Sequence, residues 1–197
     1  MIPVKKMIMA LLAILLVLIN TSFVTYPDHY FMAYVVQDGV VLPIDQHVVK
    51  VKKRPFEIVL DLPNKKGIFV HMSYDEKTFN GAIENENVSG LPGFDNTAVF
   101  ELWNNPDLSV FMADHQPMYW FIDHKSKTRF SSYEIINDRY LCVRKVDNIY
   151  DLDAHQEVEL SAMKQPVYFT FLKFEEKGDN YRFKEVMRHE FKIEWVD

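Results

Sequence analysis

Apolar and polar residues alternate at period two over much of this chain, and the clearest run lies at its end. Tyr181, Phe183, Met187, Phe191, Ile193 and Trp195 share one parity, while Arg182, Lys184, Arg188, Glu190, Lys192 and Glu194 occupy the other. This predicts a strand with one face buried. A helix would align Phe183, Met187, Phe191 and Trp195 but leave Tyr181 and Ile193 off the stripe. The preceding run, Val167 to Glu175, is apolar on both parities through Leu172, so both of its faces should be covered. Glu176 to Asn180 would turn the chain between the two.

Shorter apolar runs continue the pattern upstream. Strands are expected over 30–37, 40–42, 47–53, 56–62 and 68–74, then over 98–103, 109–112, 118–122, 133–136 and 139–146, with a weak one at 158–160. Asp38-Gly39 between two apolar runs predicts a type I′ hairpin, which needs positive φ at both positions. Pro55, Pro117 and Pro166 each precede an apolar run, where a missing N–H is tolerated. Short strands with frequent turns and no helix–strand alternation point to an all-β, antiparallel β-sandwich, with a β-barrel as runner-up.

Two stretches depart from this. Residues 75–98 lose apolar periodicity and hold Gly81, Gly90, Gly93 and several acids. A connection of that length tends to be functional, the plainer alternative being a short helix inside it. Phe79, Ile83, Val88, Leu91 and Phe94 are many apolar residues for an idle linker. They should either tuck back onto the sheet as an Ω-like loop or meet a partner. Phe79, Phe94, Glu84 and Glu86 are therefore the candidate binding residues.

The second departure is the N-terminus. Lys5 and Lys6 precede an uncharged apolar run from Met7 to Val24, which as a helix would extend roughly 27 Å. Positive charge before the run and none until Lys50 places the remainder on the far side of a membrane. Residues 1–26 are expected to be an export signal or an uncleaved anchor, and 27–197 a single β domain. Asn20-Thr21-Ser22 is the best cleavage region, though it is a weak one.

Composition narrows the partners. Formal net charge is −6, from 22 basic and 28 acidic side chains, and the export segment uses two of the basic ones. An acidic domain gains no counterion-release term from nucleic acid. Membrane contact is expected through the N-terminal segment only if it stays attached. Lys50, Lys52, Lys53 and Arg54 form the densest basic cluster and read as a solvated strand edge. Cys142 is alone in an apolar setting, so a buried thiol is expected and no internal disulfide is possible.

Catalytic motifs are absent: no Gly-x-Ser-x-Gly, His-Glu-x-x-His, Walker or dinucleotide-binding pattern occurs. No cofactor is expected. Asp28-His29, Asp114-His115 and Asp123-His124 repeat a dipeptide, but adjacent strand residues point to opposite faces. His115, His124, Glu185 and His189 form the alternative, metal-binding reading. On a strand Glu185 and His189 would stand about 13 Å apart, too far to share an ion. Asp147, Asp151 and Asp153 suggest a polar turn that lacks the glycine and distal acid of a calcium loop. Tyr119, Trp120, Phe121, Trp103, Phe100 and Phe94 could form a sugar-stacking platform or simply core. Asn87-Val88-Ser89 matches an N-glycosylation sequon. The expected function is that of an exported, non-catalytic binding or scaffolding protein of the cell envelope with a protein or glycan partner. The alternatives are an exported metal-dependent hydrolase and an anchored subunit of a membrane assembly.

Overall fold

A computed structural model describes residues 30–197 except 64–67, 96, 105–109, 114–128, 137–138, 152–153 and 178–181. The N-terminal apolar segment, the expected strand at 118–122, His115 and His124 lie outside the described residues. No described helix is long and apolar enough to cross a membrane.

The described chain is mostly β. Its strands are β1 (Met32–Gln37), β2 (Val40–Val41), β3 (Val48–Lys52), β4 (Phe56–Pro63), β5 (Ile68–Ser73), β6 (Ala98–Asn104), β7 (Val110–Ala113) and β8 (Arg129–Ile136). They continue with β9 (Arg139–Val146), β10 (Asn148–Asp151), β11 (Gln156–Glu159), β12 (Val167–Lys177) and β13 (Arg182–Val196). One α-helix, α1 (Glu76–Ile83), and a 3-10 turn at Leu160–Ala162 complete the elements. Eleven strands form one sheet in the order β2-β1-β4-β9-β8-β7-β6-β5-β12-β13-β3, and β10 pairs with β11 apart from it. The polar turn expected around Tyr150 is thus a hairpin, in which Ile149 is buried.

Pairing is antiparallel except between β13 and β3, which run parallel. That exception follows from a long-range constraint. In a flat sheet β4 and β3 would lie eight strand spacings apart, roughly 38 Å at about 4.8 Å each. Residues 53–55 alone join them, a reach of about 14 Å at most. The sheet must therefore curl until its two ends face each other. Contacts between the ends bear this out: Phe31 meets the His189 ring edge-on at 5.0 Å, and Phe56 meets Trp195 at 5.9 Å. One core fills the interior, with Ile58, Leu60 and Cys142 from one side and Val70, Phe169, Phe171 and Ile193 from the other, all fully buried. Arg144 and Lys173 are also buried, so the interior is not wholly apolar.

The curled sheet is not a closed barrel. No backbone ladder joins β1 to β13 or β3, and side chains bridge the seam instead. Phe31 donates its N–H to Met187 Sδ, and its carbonyl lies 2.7 Å from His189 Nε2. At the other end Gln37, itself buried, donates from Nε2 to the carbonyls of Lys52, Arg54 and Pro55 and accepts from Lys52 N–H. The Asp38-Gly39 turn has φ 54° and 77°, the type I′ signature.

Candidate functional site: a groove beneath a capped helix

The segment 75–97 holds a short helix, the plainer alternative for it, followed by a return loop. Asp75 caps α1, its Oδ1 accepting from Thr78 N at 2.8 Å and from the Thr78 hydroxyl at 2.9 Å. At the other end Asn85 takes φ 58° and bonds Ala82 O, while Glu86 N bonds Gly81 O. These are the two bonds of a Schellman motif, and they stop the helix after eight residues. The return segment is tied down by the single Thr78 hydroxyl proton, shared between Asp75 Oδ1 and Pro92 O, by Thr97 Oγ1 donating to Gly93 O, and by a Ser73–Thr97 hydroxyl pair at 2.9 Å. The segment meets β5 and β12 through the Ser73–Thr97 hydroxyl pair and the Phe79 and Tyr168 rings, on the outer face where Ser73, Thr170 and Leu172 are buried although they point away from the core.

Of the apolar residues read as either packing or docking, Phe79 packs and Phe94 does not. Phe79 is buried, its ring 5.4 Å from that of Tyr168. Phe94 remains 43% exposed at the loop tip. Glu84 and Glu86 are exposed just beyond the helix.

Helical spacing places Glu76, Phe79 and Asn80 on one face of α1. That face overlooks β12 and β13, where the register aligns Tyr168 with Lys192 and Thr170 with Glu190. Across from α1 stands a second tight hairpin. Asp45 and Val48 exchange both backbone bonds, leaving Gln46 and His47 as its two central residues at φ 47° and 62°. Left-handed backbone at a non-glycine residue costs roughly 1–2 kcal/mol, so this turn is held by its surroundings. Lys192 N donates to His47 O at 2.7 Å and anchors it. Between α1, the hairpin and the two strands lies an open groove of about 280 Å³ lined by Gln46, His47, Glu76, Phe79, Asn80, Tyr168, Glu190 and Lys192 together with Val48, Phe169 and Phe191.

The charges in the groove already have partners. His47 Nδ1 lies 3.6 Å from the Glu190 carboxylate, whose other oxygen is 3.7 Å from Arg188. Lys192 pairs with Glu194 at 2.7 Å. Burial, then the Glu76 carboxylate beside it, raises the Tyr168 phenol above its ordinary range. Phe79 is the one residue of this groove singled out from the sequence. The polar parity of β13 read as a solvated face, and Gln46-His47 carries no turn signature.

Glu185 and His189 do not come together. A bulge pairs Lys173 with Met187 and Phe174 with Glu185, so Val186 is the extra residue and the side-chain alternation flips there. Glu185 faces out and forms a forked pair with Arg188 at 3.0 and 2.9 Å, which lowers its pKa. His189 faces in, at the seam, where burial lowers its pKa and the Phe31 carbonyl opposes the shift. Among the described residues no cluster of three His, Cys, Asp or Glu could hold a metal. Asp147 pairs with Lys145, Asp151 caps the Ala154 N–H, and Asp153 lies outside the described residues. The basic cluster behaves as an edge: Lys50 and Lys52 are exposed on β3, and Lys53 and Arg54 pair with Asp197 and Asp38. Cys142 is buried, as its apolar neighbours predict. No family model matches the sequence, and no curated protein or solved structure matches it either.

Proposed function

We propose that this chain is an exported, non-catalytic β-sandwich protein of the cell envelope that binds a protein or glycan partner in the groove beneath α1. The groove itself carries the reading. Its walls are fixed by the Asp75 cap, the Schellman bonds and the hairpin at 45–48, so it needs no ordering before a partner enters. The two halves of the curled sheet pack as layers around one core, which supports the sandwich. The apolar run behind Lys5 and Lys6 supports export.

The test is a photo-reactive side chain at Asn80 in the full-length chain, activated in intact cells. One defined adduct with a protein or glycan of the envelope is expected from Asn80 and not from the same probe at Lys145 on β9. Equal adducts from both positions, or none from Asn80, would remove the groove as the docking point. Recovery of the chain in the cytoplasmic fraction would overturn export.

A further inference from the structure

We propose that the groove takes a neutral, polyhydroxylated sugar ring, the glycan of the two partner classes named above; the inference rests on that reading. Three observations select the ligand. The first is charge. Glu190 stands between His47 and Arg188, Lys192 is held by Glu194, and Glu76 stands against the Tyr168 hydroxyl. A phosphate, a sulfate or an ammonium entering here would have to displace a partner already in place. A ligand without charge meets no such competition, and the carboxylates keep lone pairs free to accept from hydroxyl groups.

The second observation is the pair of amides. The side chains of Gln46 and Asn80 both line the groove, both are exposed, and neither makes a hydrogen bond among the described residues. They stand on opposite walls, one on the hairpin and one on α1. Each offers a donor and an acceptor, the combination that a hydroxyl group also presents. Gln46 is held at φ 47°, a conformation the turn keeps against its intrinsic cost.

The third is the floor. The Tyr168 ring is half-buried and backed by Phe79 at 5.4 Å, so it is fixed in place. A rigid aromatic floor between polar walls fits a ring with apolar C–H faces and a hydroxylated rim. At about 280 Å³ the groove is at the small end for a ligand site, which suits one ring of a longer chain.

The experiment titrates the full-length chain with uncharged hexoses, N-acetylhexosamines and their disaccharides. The same sugars bearing sulfate or carboxylate, one basic peptide and one acidic peptide are run in parallel, all by saturation-transfer NMR and calorimetry. An uncharged sugar is expected to bind in preference to its charged forms. Asn80→Ala and Gln46→Ala should each weaken it about tenfold, the loss of roughly one good hydrogen bond. Tyr168→Leu should abolish the saturation transfer, and Lys145→Ala, on β9 outside the groove, should leave affinity unchanged. Both amide variants are at exposed positions, so their folding can be verified independently by circular dichroism. Binding of a peptide at Asn80 and Gln46 with no uncharged sugar bound would overturn the sugar and leave the groove as a docking site. Sugar binding indifferent to all three groove substitutions, or no binding by any uncharged sugar, would overturn the inference outright.

Discussion

His71 shows how much one side chain can set. It lies on the outer face of β5, opposite Thr170 on β12, and both are buried. Neither its Nδ1 nor the Thr170 hydroxyl has a hydrogen-bond partner among the described residues. Burial, then the nearby Arg188, lowers its pKa to about 4 from 6.5. The native state therefore binds fewer protons than the unfolded chain between those values. The contribution is complete above pH 6.5 and is lost as pH falls toward 4, up to about 3 kcal/mol. Asp61 and Glu57 act with the opposite sign, because burial raises their carboxyls. The measure is thus the difference between the wild-type and His71→Phe proteins in urea unfolding at pH 7, 5.5 and 4.5. The wild type should lose more stability than the variant across this range, and equal losses would show that His71 titrates normally. The sequence does not announce this residue, since it sits inside an apolar run. Cys142 was legible because its neighbours are apolar on both sides.

Elements were legible where periodicity makes them and illegible where caps or bulges do. The alternation in β3 and the two covered faces of β12 follow directly from residue order, whereas β9 buries Arg144 on its inner face. By contrast, α1 has eight residues and only Phe79, Ala82 and Ile83 at apolar helical spacing, and it leans on its capped termini. Asp75 followed by Glu76 was a usable start signal, and the short helix that is the plainer alternative for 75–98 is what forms, although residue order did not place its ends. Asp75→Ala removes the acceptor for the Thr78 amide, while the Thr78 hydroxyl keeps Pro92 O. It should cost about 1–2 kcal/mol, and Asp75→Ser should recover most of this. Thermal melts of the two variants check the claim; indistinguishable melts would assign the helix to packing alone. The Val186 bulge explains the other misreading. One extra residue shifts the alternation, so a parity count run through position 186 puts Glu185 on the wrong face.

At the scale of the whole molecule, what could not be read was how the strands close on themselves. Nothing local says that β3 leaves β4 to pair in parallel at the far end of an eleven-stranded sheet. The short link at 53–55 is what makes the sheet curl, and Gln37 is what seals it. In a parallel pair alternate residues of β3 face β13, and His47 O and Lys53 N do so. Val48, Lys50 and Lys52 then present their backbone to the open edge. Val48 is satisfied by Asp45, and Lys52 by the Gln37 amide, so Lys50 alone is left with neither of those partners. One buried side chain thus replaces a strand at this edge, with lysines standing along it, a common protection against edge-to-edge association. Gln37→Ala would strip Lys52 of a donor and an acceptor and release the carbonyls of Arg54 and Pro55. These losses fall on exposed residues, and Lys52 O keeps the Arg54 N–H, so the cost should be about 1–2 kcal/mol. Hydrogen exchange locates the damage: the Lys52 amide should exchange much faster, while amides paired between β12 and β13 should change only with global stability. Gln37→Glu keeps an acceptor for the Lys52 amide but loses the donor, so it should protect that amide better than alanine does while still destabilising the seam. Unchanged exchange at Lys52 in Gln37→Ala, with stability held within about 0.5 kcal/mol as at an ordinary surface site, would mean that the seam is closed by apolar packing and not by this amide.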